Sequence, residues 1–82
     1  METKIIVYAI KSLVRTYIYA GQTNNLEKRF KQHNNGLGRS TKPYKPFEII
    51  YTKAFNNRRE ARMHEKYLKS GSGKEFLKSL IT

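Results

Sequence analysis

Two short β-branched and aromatic runs, Ile5-Ile6-Val7-Tyr8-Ala9-Ile10 and Thr16-Tyr17-Ile18-Tyr19, lie close together with only a polar interruption at Lys11-Ser12 and a few further residues between them. Residues of this kind suit a pleated surface, and so brief a gap leaves the chain room only to turn back on itself. An antiparallel hairpin with strands near 4–10 and 15–20 is therefore expected to open the fold. A two-stranded ribbon is marginal on its own in water, so the remaining chain has to extend and cover it.

The cover is legible downstream. Thr23-Asn24-Asn25 forms a cap, Leu26 and Phe30 fall one helical turn apart, and Asn35-Gly36 stops the pattern, which predicts a helix near 25–34. Phe47-Glu48-Ile49-Ile50-Tyr51 predicts a third strand reaching about Ala54, and Asn57 with Glu60 resembles a capping box opening a helix to Lys69. Ser70-Gly71-Ser72-Gly73 ends that helix, and Lys74 to Leu80 forms a short final one. The expected class is α+β, a three-stranded antiparallel sheet with helices in the order ββαβαα. The connection from Asn35 to Pro46 is long for so small a fold, and loops of that length often carry function.

Charge and composition then select the partner. The 82 residues hold 17 Lys and Arg against 6 acidic residues, a net charge of +11, and no cysteine. One domain spanning 1–82 is expected, too small for a large cofactor cavity. The missing thiols exclude disulfide scaffolds, thiolate nucleophiles and Cys-based metal sites. The longest apolar run, Ile5 to Ile10, is far short of the ~20 residues that span a bilayer, so a cytoplasmic chain without membrane association is expected. An excess of +11 favours a polyanion, DNA or RNA, as the partner.

Several motifs fail on spacing. Gly71-Ser72-Gly73-Lys74 lacks the glycine and the hydroxyl of a phosphate-binding loop, because positions 68 and 75 are Leu and Glu. His64-Glu65 does not open a zinc helix either, since Leu68 stands where the second His belongs. Glu65 is more informative. Ala61, His64, Glu65 and Leu68 share an arc of roughly 100° on their helix, so a carboxylate sits on the face that meets the sheet. It must be matched there by a cation, a metal ion or a rim open to water. Arg29 and His33 are one turn apart on the first helix and either flank a common ligand or form a solvated basic face. The phenols of Tyr8, Tyr17 and Tyr19 are either cross-strand packing or act on a substrate.

Taken together, Ile6-Val7-Tyr8, Tyr19-Ala20-Gly21, Arg29 and Glu65 resemble the GIY-YIG nuclease superfamily over nearly the whole chain. The stretch Tyr19 to Gly36 is the specific part of the match. The chain is most similar to small standalone bacterial members, which are themselves similar to the N-terminal nuclease module of the excision-repair C subunit. The resemblance implies a metal-dependent endonuclease that hydrolyses DNA phosphodiester bonds in repair or recombination. By the same resemblance Glu65 would hold Mg²⁺ or Mn²⁺, Arg29 would bind the scissile phosphate, Tyr8 would act as general base with Tyr19 beside it, and His33 would relay the proton or orient Tyr8.

The departures are Ile6-Val7-Tyr8 for Gly-Ile-Tyr, Ala20 for Ile, Gln22 for a Lys, and no Asn after Glu65. They leave a second reading, a non-catalytic basic nucleic-acid-binding module on the same fold. Arg39, Lys42, Tyr44 and Lys45 in the long loop are the candidates for backbone contact.

Overall fold

The strands are β1 (Ile5–Ser12), β2 (Ile18–Thr23) and β3 (Phe47–Phe55), and the helices are α1 (Leu26–Asn34), α2 (Arg58–Lys69) and α3 (Gly71–Ser79). This computed structural model describes residues 4–81. It is an α+β fold in which the three strands form one antiparallel sheet with β1 at the centre, in the order β2-β1-β3. The central place of β1 explains why it reads as an almost unbroken apolar run, since both its faces are covered. Ile5, Val7 and Ala9 pack with Ala61, Leu68 and Leu77 of α2 and α3. Tyr8 and Ile10 point to the other face, where Phe47, Tyr19, Leu26 and Phe30 meet them.

Besides β1, which continues through Lys11 and Ser12 where the sequence suggested an interruption after Ile10, two boundaries differ from the sequence expectation. β2 runs from Ile18 to Thr23 rather than from 15 to 20, and its first rung with β1 is Lys11 opposite Ile18. The cause is Ser12, which is buried, donates its hydroxyl to the Tyr44 carbonyl at 2.6 Å, and accepts from the Val14 and Arg15 amides at 3.2 and 3.0 Å. Those bonds hold residues 13–17 as a turn, so pairing starts later and carries Gly21 into the strand.

The second difference is α3, which starts at Gly71 rather than Lys74. Ser70 closes α2 and also caps α3, its Oγ accepting from the Gly73 amide at 3.2 Å. A side chain at Gly73 would overlap the Tyr67 carbonyl and Leu68 Cα, so this glycine permits a tight corner between helices where a helix stop and loop were expected. The other caps follow the sequence: Asn25 Oδ1 accepts from the Lys28 amide at 3.1 Å and Asn57 Oδ1 from the Glu60 amide at 2.9 Å. Gly36 has φ +76 after α1, the left-handed conformation that ends many helices. Among the described residues no helix is long and apolar enough to cross a membrane.

Candidate active site

Tyr8 and Gly21 face each other across β1 and β2, and this rung governs the site. A Cβ at Gly21 would lie 2.8 Å from the Tyr8 hydroxyl and 3.1 Å from the Tyr19 ring, so the missing side chain is what lets both phenols lie over the strand. Tyr8 is 1% exposed. Its hydroxyl meets His33 Nε2 at 2.9 Å, and His33 Nδ1 meets Thr41 Oγ1 at 3.0 Å. The tautomer with its proton on Nδ1 lets His33 donate to Thr41 Oγ1 while the Thr41 hydroxyl turns to the Gly38 carbonyl, 3.4 Å away. Nε2 is then unprotonated and accepts from Tyr8. A continuous Tyr8, His33, Thr41 chain results, running from the central strand through α1 to the loop.

The rest of the cluster supplies charge. Arg29, half-buried on α1, lies beside Tyr8 and donates to Gln32 Oε1 at 3.1 Å. Glu65 on α2 reaches the same region with its side chain 19% exposed, and its Oε2 accepts from Lys69 Nζ at 2.8 Å. The Lys69 ammonium also lies 5.8 Å from the Tyr19 ring centroid. Burial raises the Tyr8 pKa above 10.0, Arg29 opposes this, and Tyr19 and Glu65 add to it. Burial, with Arg29 second, lowers the His33 pKa below 6.5. The resting pair is therefore neutral phenol and neutral imidazole at pH 7.

That neutrality has a thermodynamic signature. A depressed His pKa stabilises the fold above the unfolded value of ~6.5, and this contribution is lost as pH falls through the folded value. His64 carries the same sign, from burial and then Lys53. The melting temperature should thus be flat at neutral pH and fall below about pH 6.5. In His64→Asn the fall should persist through His33, and a flat profile to about pH 5 in that variant would contradict a buried neutral His33.

The structure brings Tyr8, Tyr19, Arg29, His33 and Glu65 together. It does not bring the loop cations into the cluster: Arg39, Lys42 and Lys45 are exposed, while Tyr44 is half-buried and stacks on Tyr17 with centroids 3.9 Å apart. Sequence reasoning missed Thr41 and Lys69. Nothing in a loop threonine's context marks it, whereas Lys69 lies four residues after Glu65 and its pairing follows from helical spacing. A second tyrosine–histidine pair, Tyr51 hydroxyl to His64 Nε2 at 2.7 Å, sits among Phe55, Tyr67 and Phe76 on the other side of the sheet. It contains no Arg or Glu.

Beside Arg29 a cleft of about 330 Å³ is lined by Gln22, Lys28 and Arg58 among others, and Gln22 Oε1 is buried there without a hydrogen-bond partner. Among the described residues no three His, Asp or Glu side chains gather as a preformed metal cage. Glu65 is the carboxylate at the cluster. Magnesium commonly takes one or two carboxylates and completes its shell with water and substrate phosphate, so this donor set fits a substrate-completed Mg²⁺ or Mn²⁺ site.

The GIY-YIG catalytic domain family matches residues 4–78. A UPF0213 protein of Clostridium perfringens is 49% identical over 53 residues, 63% of this chain and 57% of that protein, so the match spans little more than half the relative's length. A UPF0213 protein of Bacillus licheniformis is 40% identical over 90% of this chain and 77% of its own. The solution NMR structure of a UPF0213 protein from Bacillus halodurans superposes with a TM-score of 0.56 at 32% identity, covering 94% of this chain and 84% of that one. With its tyrosines set across the first two strands and its match running from Lys4 to Lys78, this chain belongs to the GIY-YIG family, whose characteristic activity is that of a nuclease.

Proposed function

We propose that this chain is a single nuclease domain over residues 1–82, a divalent-metal-dependent endonuclease that hydrolyses DNA phosphodiester bonds in repair or recombination. The observation that carries the reading is the continuous Tyr8, His33, Thr41 chain with Arg29 and Glu65 beside it. The Tyr51–His64 pair has the same phenol–imidazole bond without Arg or Glu, so it is Arg29 and Glu65 that set the Tyr8 cluster apart.

Each residue has a role that its surroundings allow. Tyr8 takes a proton from the attacking water while its own hydroxyl proton passes to His33 Nε2, so no free phenolate has to form first. Thr41 holds the tautomer that keeps Nε2 open. Arg29 binds the scissile phosphate and offsets charge on its oxygens as the bond to the leaving oxygen breaks. Tyr19 packs between Tyr8 and Lys69 and keeps bulk water from the phenol. Glu65 would hold Mg²⁺ or Mn²⁺, which when bound polarises the phosphoryl group. Arg39, Lys42 and Lys45, exposed on the loop, contact the backbone farther out.

The Lys69–Glu65 pair favours a second reading, a binding module in which the lysine takes a cation's place. The test is cleavage of branched, single-stranded and duplex DNA with Mg²⁺ or Mn²⁺. Wild type should cut, and Arg29→Ala should cut roughly 10² to 10³ times more slowly at a similar melting temperature. Binding without cutting under every divalent ion would leave the module reading.

A further inference from the structure

A groove of about 510 Å³ opens where the outer edge of β2 faces α3 and the end of α2. Its floor is apolar, with Ile18, Leu77 and Ile81 among the lining residues. Its rim carries Lys11, Arg15, Lys69, Lys74 and Lys78, and no acidic side chain lines it. None of the proposed roles uses this feature apart from the shared Lys69.

We propose that the groove is a nucleotide subsite that takes an unpaired base of the bound strand on its apolar floor and the flanking phosphates on its lysines. This rests on the nuclease reading and narrows its substrate to one with an unpaired nucleotide near the cut. Three observations point to this occupant. The first is charge complementarity: five rim cations, of which only Lys69 and Lys78 have a carboxylate partner (Glu65 at 2.8 Å and Glu75 at 4.0 Å), around an apolar floor match a ligand that alternates anion and flat ring. The second is size. A pocket of about 510 Å³ lies in the range that takes one small ligand such as a single nucleotide. The third is continuity. Lys69 lines the groove while its ammonium sits 2.8 Å from Glu65, and Tyr17, just before β2 and two residues from Tyr19, lines it as well. A strand whose scissile phosphate lies at Arg29 and Glu65 therefore reaches the groove through neighbouring residues.

The experiment reads binding, not cleavage, so that the groove and the nuclease chemistry fail separately. Anisotropy of a fluorescein-labelled dT hexamer and of a blunt hairpin duplex is measured on the full chain in EDTA over a salt series. Lys74→Ala with Lys78→Ala should weaken the hexamer about tenfold and reduce its salt slope by about 1.4, two phosphates at ~0.7 each. Ile81→Ala, at a residue 37% exposed, should weaken the hexamer about three- to tenfold with the slope and the duplex affinity unchanged. Amide shifts on adding the hexamer should include Ile18, Leu77 and Ile81, a readout that needs no variant to fold. Shifts confined to the α1 and loop face, an Ile81→Ala chain that binds the hexamer as wild type does, or a hexaglutamate peptide that binds as tightly as the hexamer would each overturn the proposal. A chain that cuts no DNA yet passes these measurements keeps the subsite and loses only the nuclease.

Discussion

Glu65→Gln is expected to lower metal-dependent cleavage by on the order of 10³-fold or more, with little change in folding. The amide keeps the length and planarity of the carboxylate but removes the charge that a divalent ion requires. The cost to the fold is small because of where Lys69 sits. Its side chain is 51% exposed, so on losing Glu65 it turns to water, and an i,i+4 pair at such a rim contributes at most about 1 kcal/mol. The melting temperature should move by no more than about 4 to 8 °C. Lys69→Ala supplies the opposite sign, because freeing the carboxylate from its ammonium should tighten Mn²⁺ binding by calorimetry. Should Glu65→Gln bind Mn²⁺ and cut as wild type does, the ion is held elsewhere. Should it unfold, Glu65 is a structural partner of Lys69.

Much of this site was legible because local rules and the global fold agree at its residues. The hairpin placed Tyr8 and Tyr19 on neighbouring strands, the cap at Asn25 set the phase that aims Arg29 and His33 at the sheet, and the arc through Ala61 and Leu68 brought Glu65 to its inner side. What stayed hidden depends on contacts between residues distant in sequence. Ser12 delays β2 through a bond to Tyr44, 32 residues away, which no strand propensity encodes. Thr41 matters only because the loop folds back onto α1 and carries its hydroxyl to His33. The pattern could place Arg29 and His33 on one side of a helix but could not divide them. In the structure His33 is 2% exposed and hydrogen-bonded at both nitrogens, whereas Arg29 stays at the rim. β2 runs past Gly21 and α3 starts before Gly73, although glycine commonly marks the end of an element. Each instead permits a close approach inside an element or at a corner.

The relay makes the second large prediction. Tyr8→Phe should reduce the cleavage rate about 10² to 10⁴-fold, and His33→Asn should cost a similar factor, because both interrupt one proton path. The double variant should then be hardly slower than the worse single one, since parts of a single device do not lose their contributions twice. Independent packing roles would give additive losses. The pH profile adds a test that packing does not move. His33 accepts a proton only when neutral, and its pKa lies below 6.5, so the wild-type rate should be level near pH 7 and fall on the acid side. Burial holds Tyr8 protonated well above neutrality, so the alkaline side should show no rise from phenolate near pH 8. In His33→Asn the residual rate should lose the acid limb. Tyr8→Phe leaves Nε2 buried without its donor, at a cost of about 1 to 3 kcal/mol, so rates are compared well below its melting temperature. An acid limb that survives in His33→Asn, with additive rate losses in the double variant, would place the general base elsewhere and leave Tyr8 and His33 as a structural pair.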